Sequence, residues 1–562
     1  MVRWRINFIL VSLFLLGMVL IGRLFYIQII KADFYQALAQ GLYSSDRQII
    51  GERGEIFFRN GEPLAVNIDW FLVFSSPIEI KEKEIVAGKL AEILALKGED
   101  KSSSPFATVE TAKDFILEKL EKNNLYEPIK NRITDEEIQK IKELNLKGIY
   151  LDREKGRYYP QGAFASQLVG FVGADQQGQY GLEGYEDEIL RAKKGQRSGE
   201  DIFLTVDYSI QFRAEKLLEQ AKENLDIEGG EIIVINPNSG EILALANLPN
   251  FNPNQYSTVS DFKIFKNAAT QKIFEPGSVF KPITMAAALN EGKITPQTTY
   301  LDPGAMEFDG WPIYNYERRI YRGETTPEIT MTEVLEKSIN TGAVFAEQRL
   351  GRELFFQYIG KFEFFEKTGI NLQETVPENK ELYEARQRGR EINFVTAAYG
   401  QGIEMTPIQL IRAYSAIANG GKLVRPFLVK KIVKGDEVLE VAPEIEEDLV
   451  ISPKTAAQLT AMLVSVVENG FAKSARIPGY WVAGKTGTAQ MSFAALEINQ
   501  KGYSDKTWQS FAGFVPAFNP EFLILVKLNN PKTKTAEYSA VPIFQDLAKY
   551  IVDYCQIPPD YE

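Results

Sequence analysis

The chain has 562 residues, 45% apolar, 25% charged and 12% aromatic, the make-up of a globular protein with material for more than one core. With 63 Lys and Arg against 75 Asp and Glu the net charge is −12, and no long basic run is present, which argues against a nucleic-acid partner. There is no histidine and one cysteine, Cys555, which excludes His-activated nucleophiles, His-ligated zinc or haem, CxxC metal sites and an intrachain disulfide framework.

Ile6 to Gly22 is apolar apart from Asn7 and Ser12, and Leu24 to Ile30 carries the run past Arg23. As a helix, 6–30 spans roughly 37 Å, enough for a bilayer core of about 30 Å with some tilt. Arg3 and Arg5 predict a single-pass anchor with residues 1–5 in the cytoplasm and the bulk of the chain outside the plasma membrane. Arg23 is then read as snorkelling to the outer interface. A cleaved signal peptide ending near Ala37 or Ala39 is the rival, disfavoured because the run exceeds an h-region of roughly 7 to 15 residues.

Arg53-Gly-Glu-Ile56 and Arg59-Asn-Gly61 read as a strand and a tight turn. Lys101 to Pro105 reads as a surface loop, and Asp114 to Leu146, rich in Lys and Glu at helical spacing, as a solvated helical insert. Ile202 to Asp207 predicts a short strand and Ser209 to Asn224 a helix. A hairpin follows, Glu231 to Ile235 and Glu241 to Ala246 around the turn Asn236-Pro-Asn-Ser-Gly240. Helical periodicity marks Ile283 to Leu289, Met331 to Leu350 and Thr406 to Ile417, and strands return only at Trp481 to Gln490, Ser510 to Val515 and Phe522 to Leu528. Strands at both ends with helices between predict an α+β domain whose sheet is closed by distant segments.

Three short motifs carry chemistry. In Glu275-Pro-Gly-Ser278-Val-Phe-Lys281, a helix opening at Ser278 would put Lys281 one turn on, where a neutral amine could serve as the serine's base. The helix N-terminus would add backbone N–H groups and partial positive charge for an oxyanion. Ser338-Ile-Asn340 ends a predicted helix over Thr332 to Lys337, and Gly484-Lys485-Thr486-Gly487-Thr488 sits on a strand. Taken singly, each is better read as ordinary structure: a surface helix start, a capped turn, and a strand bend with an exposed lysine. Taken together and in this order, starting 60 and then 147 positions apart, they resemble the Ser-x-x-Lys, Ser-x-Asn and Lys-Thr-Gly set of penicillin-binding proteins and serine β-lactamases.

On these residues the chain resembles the class B penicillin-binding proteins, membrane-anchored peptidoglycan D,D-transpeptidases, over nearly its whole length after the anchor. Arg53-Gly-Glu-Ile56 with Arg59-Asn-Gly61, Arg157-Tyr-Tyr-Pro160, Gly181-Leu-Glu183, Gly400-Gln-Gly-Ile403 with Thr406-Pro407, and Ser510-Phe511 with Gly513-Phe514 resemble motifs of that family. The text around Glu275 to Pro282 and Pro478 to Gln490 is closer to the division-specific branch than to the elongation branch. Phe58, where an acidic residue is common, Ile339 in place of a small residue, and an aromatic 360–367 depart from the family pattern.

The resemblance implies a transpeptidase domain over 226–562, with an antiparallel sheet flanked by helices, and an elongated pedestal or dimerisation-like domain over 31–225. It implies Ser278 as nucleophile, Lys281 as base and Ser338 as proton relay. Asn340 would hold the Lys281 ammonium or a substrate amide, and Lys485 would supply positive potential. Thr486, Gly487 and Thr488 would form the substrate-binding strand, with the backbone N–H groups of Ser278 and Thr488 as oxyanion hole. No metal or organic cofactor is needed. Implied partners are peptidoglycan stem peptides, β-lactams and a membrane-embedded glycan polymerase with its wall-synthesis complex. The same residues would also suit an elongation-type transpeptidase, a D,D-carboxypeptidase, an inactive scaffold or a β-lactam sensor. A β-lactamase would need a deacylating carboxylate, for which Val376-Pro-Glu378-Asn379 is a superficial candidate better read as an exposed acidic turn.

Overall fold

The apolar N-terminal run is helical in the computed structural model, which describes residues 2–30, 51–95, 105–193, 196–316, 320–321 and 326–561. Helix α1 (Val2–Phe25) continues into a π-helical turn over Tyr26–Ile30, and Phe8, Leu13, Phe14 and Ile21 stand exposed on it. Among the described residues no helix is long and apolar enough to cross a membrane, so the expected span over 6–30 is present as a helix and its crossing of a bilayer rests on the sequence. The rival cleavage site near Ala37 and Ala39, and 101–104 of the expected surface loop, lie outside the described residues.

The smaller of two compact units gathers 67–158 with 1–53 and 192–198. It takes β1 (Pro63–Ser75) from Asn67 on, and helices α2 (Lys83–Leu94) and α3 (Val109–Glu121) then precede β2 (Glu127–Ile133), α4 (Asp135–Leu144) and β3 (Ile149–Tyr158). β1 pairs with β2 antiparallel, Phe71 opposite Ile133, and also with β3. The stretch expected as one solvated helical insert is therefore helix, strand, helix. Nor is it all solvated: Ala112, Ile116 and Leu120 of α3 and Ile138 and Ile141 of α4 join Leu90 and Leu94 of α2 in one core. Thr108 and Thr134 start the two helices with reciprocal capping boxes. The Lys and Glu positions are the outer faces of amphipathic helices, and the apolar stripe between them is what folds the insert.

The larger unit holds 54–66, 159–191 and 199–562. β4 (Asp201–Leu204) pairs in parallel with Ile56–Phe57 and antiparallel with Val429–Lys434. After α5 (Tyr208–Leu225) the expected hairpin forms as β5 (Gly229–Ile235) and β6 (Ile242–Leu248). Helices α6 (Lys281–Asn290), α7 (Met331–Glu336), α8 (Asn340–Leu350), α9 (Pro407–Ala418) and α10 (Pro453–Glu468) follow. The chain then returns as β7 (Ala483–Ser492), β8 (Tyr503–Val515), β9 (Phe522–Asn529) and α11 (Ala540–Tyr554). The sheet is antiparallel throughout in the order β7-β8-β9-β5-β6, so distant segments close it as the strand pattern predicts. β5 is buried along its length, so both faces are covered. α5 and α11 pack on the sheet and on each other, and α9 and α10 do likewise.

A single cut at 225/226 does not follow these units. α5 packs on β6, and Thr205 Oγ1 donates to the carbonyls of Ile242 (2.8 Å) and Phe427 (3.0 Å), which ties 199–225 into the larger unit. There too Tyr159 donates to Glu183 (3.2 Å), joining two of the family-like motifs. Phe58 is buried against Phe164 and Tyr208, which accounts for an aromatic at that position.

One ion pair lies inside the central sheet. Lys527 of β9 faces Glu231 of β5 in register and donates to it at 2.8 Å, with both side chains at most 2% exposed. Its amine also donates to Asn529 (2.9 Å) and lies 5.1 Å from the ring centroid of Phe274. Removing one partner leaves a buried charge uncompensated, whereas removing both leaves apolar surface. Lys527→Met should therefore destabilise the larger unit by about 3–5 kcal/mol, and the double variant Lys527→Met/Glu231→Leu should recover most of that loss in urea unfolding. A double variant no more stable than the single one would contradict the argument.

Candidate active site

The Ser-x-x-Lys segment forms a 3₁₀ turn, Gly277–Phe280, that runs into α6 with Lys281 at its first position. Lys281 is wholly buried. Its amine donates to the Ser338 carbonyl at 2.5 Å and to Ser338 Oγ at 3.3 Å. Lys485, also wholly buried, donates to the same Oγ at 3.1 Å and to the carbonyl and hydroxyl of Thr486, each at 3.2 Å. The two lysines are thus neither a surface helix start nor an exposed strand bend: one serine hydroxyl is shared by two buried amines. Ser278 Oγ makes no hydrogen bond to Lys281, whose amine is taken up by Ser338.

Burial first, and then the charge of Lys485, holds Lys281 well below the ordinary lysine range. Burial lowers Lys485 to about 7.

Ser338 occupies the break between α7 and α8, at the end of the helix predicted over Thr332 to Lys337 and within the helical periodicity of Met331 to Leu350. A capping box of Thr330 and Glu333 opens α7, but Ser338 adopts φ +52°, a left-handed conformation that a helix cannot contain. That strain is held by the hydrogen bonds that its carbonyl and hydroxyl accept from the two lysines. Asn340 opens α8 and donates its side-chain amide to the Tyr314 carbonyl at 2.9 Å. It makes no bond to Lys281, so of the two expected roles only contact with a substrate amide is open to it. The backbone N–H groups of Asn340 and Thr341 donate to Asn315 (3.0 and 3.1 Å), whose amide donates to Asp302 (3.0 Å), which also accepts from Thr341 Oγ1 (2.7 Å). Sequence reading missed this support. Asp302-Pro-Gly304 shows as a turn, but its partners come 13 and 39 residues later.

Two glycines let backbones converge on Ser278. Gly277 N–H donates to the Gly400 carbonyl at 2.9 Å, and a Cβ on Gly400, at φ +84°, would stand 2.1 Å from the Gly277 carbonyl oxygen. A Cβ on Gly487 would stand 2.9 Å from the Pro276 carbonyl oxygen and 2.7 Å from Ser510 Oγ. Phe364, from the aromatic 360–367, packs 5.5 Å from the Phe280 ring and so belongs to the core behind the turn.

Ser278, Ser338, Asn340, Thr486 and Thr488 line one cleft of about 380 Å³. Tyr316, Phe471, Lys534 and Tyr538 also wall it, from segments that carry no motif. Glu378 does not line this cleft; it stands exposed in an ion pair with Lys380, as an acidic turn would.

Residues 230–549 match the family described as the penicillin binding protein transpeptidase domain, and 48–201 match the penicillin-binding protein dimerisation domain. The chain belongs to the class B penicillin-binding proteins. It is 33% identical to stage V sporulation protein D of Bacillus subtilis (strain 168), over 94% of this chain and 82% of that one. It is 30% identical to the probable peptidoglycan D,D-transpeptidase PbpC of Pseudomonas aeruginosa, over 99% and 97%. The crystal structure of penicillin-binding protein 3 of Mycobacterium tuberculosis complexed with aztreonam superimposes with a TM-score of 0.68 at 26% identity, covering 91% of this chain and 97% of that one.

In this penicillin-binding protein the Gly400 contact should be felt at Ser278. Gly400→Ala must push the Gly277 carbonyl aside and Ser278 with it. Labelling by a fluorescent penicillin should slow by at least about tenfold, or roughly 1.4 kcal/mol; a rate within about twofold of wild type would contradict the convergence argument.

Proposed function

We propose that this class B penicillin-binding protein crosslinks peptidoglycan stem peptides through an acyl-enzyme on Ser278. The observation that carries the reading is the sharing of Ser338 Oγ by buried Lys281 and buried Lys485 beside the Ser278 cleft. In this mechanism Ser278 Oγ attacks the carbonyl carbon of the penultimate D-Ala while neutral Lys281 takes its proton. The oxyanion is received by the backbone N–H groups of Ser278 and Thr488, each such donor being worth roughly 3 kcal/mol. Collapse breaks the peptide bond, and the departing D-Ala amine receives the proton from Lys281 through Ser338. An amine of a second stem then attacks the ester, loses its proton by the reverse path, and leaves the crosslink and free Ser278. Charged Lys485 with the hydroxyls of Thr486 and Thr488 binds the terminal carboxylate. A β-lactam enters by the first half-reaction and stays as the ester on Ser278.

The apolar run of α1, with its exposed leucine and phenylalanine side chains and Arg3 and Arg5 before it, supports a single-pass anchor in the plasma membrane with the catalytic domain outside the cytoplasm. The division-like text around Ser278 and Lys485 supports use at the septum. The chain would act on strands made by a membrane-embedded polymerase, with the anchor and the dimerisation domain raising the effective concentration of the two enzymes.

Ser278→Ala should abolish the covalent penicillin adduct with the fold intact, and Lys281→Arg should slow acylation by more than about tenfold because a guanidinium stays protonated. Acylation of the free enzyme should rise with pH as Lys281 deprotonates and fall above about 7 as Lys485 loses its charge. Lys485→Ala should remove the falling limb and move the rising limb to higher pH, because Lys281 loses its cationic neighbour. An unchanged pH profile would remove Lys485 from the tuning.

Replacing residues 2–30 by an unrelated membrane helix should leave penicillin acylation intact while reducing both septal localisation of a fluorescent fusion and co-purification of the polymerase. Ser278→Ala should keep both. Loss of polymerase pairing in Ser278→Ala, or a side-wall distribution of the wild-type fusion, would sink the septal-partner reading.

A further inference from the structure

Gln509 is wholly buried on β8, directly opposite Thr488 of β7. A primary amide has two N–H donors and two lone pairs on oxygen, and all four are engaged here. Nε2 donates to the Thr533 carbonyl at 2.7 Å and to Thr507 Oγ1 at 3.2 Å. Oε1 accepts from Thr533 Oγ1 at 2.8 Å and from Ser539 Oγ at 2.5 Å. Three of these bonds fall on two residues that bracket 534–538, the stretch connecting β9 to α11. Every residue between them, Lys534 to Tyr538, lines the cleft of Ser278.

That connection reaches back to the substrate-binding strand by one backbone group. The Ala536 N–H donates to Thr488 Oγ1 at 3.2 Å. A hydroxyl that accepts on one side must turn its own proton elsewhere, and Thr488 also lines the cleft. Gln509 pins the two ends of the connection, the pinned connection presents the Ala536 N–H, and the Ala536 N–H turns the Thr488 proton toward the cleft. We infer that Gln509 is a positioning residue for recognition of the substrate's terminal carboxylate, acting through the 533–539 connection and the Thr488 hydroxyl. The inference rests on the proposed transpeptidase mechanism, in which Thr488 binds that carboxylate.

Ala536, itself wholly buried, offers a substitution that deletes this link. It is the first residue of the 3₁₀ helix Ala536–Tyr538, and Thr535 before it is extended at φ −146° and ψ 160°. A proline is well suited to the first helical position, and the residue ahead of it is best extended. Ala536→Pro therefore removes the N–H that Thr488 accepts, and Gln509→Met removes all four amide bonds at nearly constant length.

The test compares the second-order acylation rates of the full-length protein with a fluorescent penicillin and with its carboxyl methyl ester, alongside thermal unfolding of each variant. Both variants should lose about tenfold with the free acid, the order expected for one hydrogen bond to a charged group, and stay within about twofold with the ester. The acid-over-ester preference should thus fall. Should Gln509→Met fail to fold, Ala536→Pro alone decides. An unchanged preference in a folded variant, or an equal loss with both probes, would overturn the inference. Wild-type protein that forms no Ser278 adduct with either probe would overturn instead the mechanism beneath it.

Discussion

Two lysine amines that share one serine hydroxyl in a buried site cannot both keep a proton without a large penalty, since an ammonium taken out of water costs several kcal/mol unless it is paired. Among the described residues no carboxylate bonds to either amine. Lys281 bonds to the carbonyl and hydroxyl of Ser338, and Lys485 bonds to Ser338 and Thr486. Burial, and for Lys281 the charge of Lys485 as well, favours loss of a proton. On the proposed mechanism a chain with no histidine thereby takes its base from a lysine.

Holding that arrangement makes demands on segments hundreds of residues apart. Lys281 comes from the start of α6, Ser338 from the break between two helices, and Lys485 from the edge strand of the sheet. Their convergence depends on β7 lying along β8 in the register that sets Gly487 opposite Ser510, and on the absence of a Cβ where Gly487 passes the Pro276 carbonyl. It depends as well on Ser338 keeping a backbone conformation that is unfavourable for a non-glycine residue. The Asn315 and Asp302 network behind it acts on the next two residues, fixing where α8 begins and so where the chain turns back from Ser338.

How much of this was legible in the sequence depends on how local the cause is. The hairpin of β5 and β6, the helix α5 and the strands of the central sheet follow from turn chemistry and apolar periodicity within a dozen residues, and they form as expected. The three motifs were legible as a set because Ser-x-x-Lys, Ser-x-Asn and Lys-Thr-Gly stand in the order that penicillin-binding proteins share. The surroundings of each motif were not: Lys281 and Lys485 lie where their local text suggests solvent, and only the packing of remote helices and strands buries them. For the same reason the sequence left the two roles of Asn340 undivided, since the carbonyl that takes its amide belongs to Tyr314, 26 residues earlier. The insert of 114–146 misled differently. Its charges drew attention from the spacing of Ala112, Ile116 and Leu120, which is the stripe of a helix that packs.

On the proposed mechanism the shared hydroxyl also ties substrate binding to base activation. With Lys485 lowered to about 7 by burial, a carboxylate arriving beside it raises its proton affinity again, since an opposite charge within a few ångströms favours the ammonium. A firmly charged Lys485 in turn opposes protonation of Lys281 through the few ångströms that separate their common contacts on Ser338. On the proposed mechanism the terminal carboxylate therefore completes the electrostatics that keep Lys281 neutral, and a ligand lacking a carboxylate at that end finds the base less well prepared. Selectivity for a C-terminal D-Ala would then arise in the proton distribution of the site as well as in its shape.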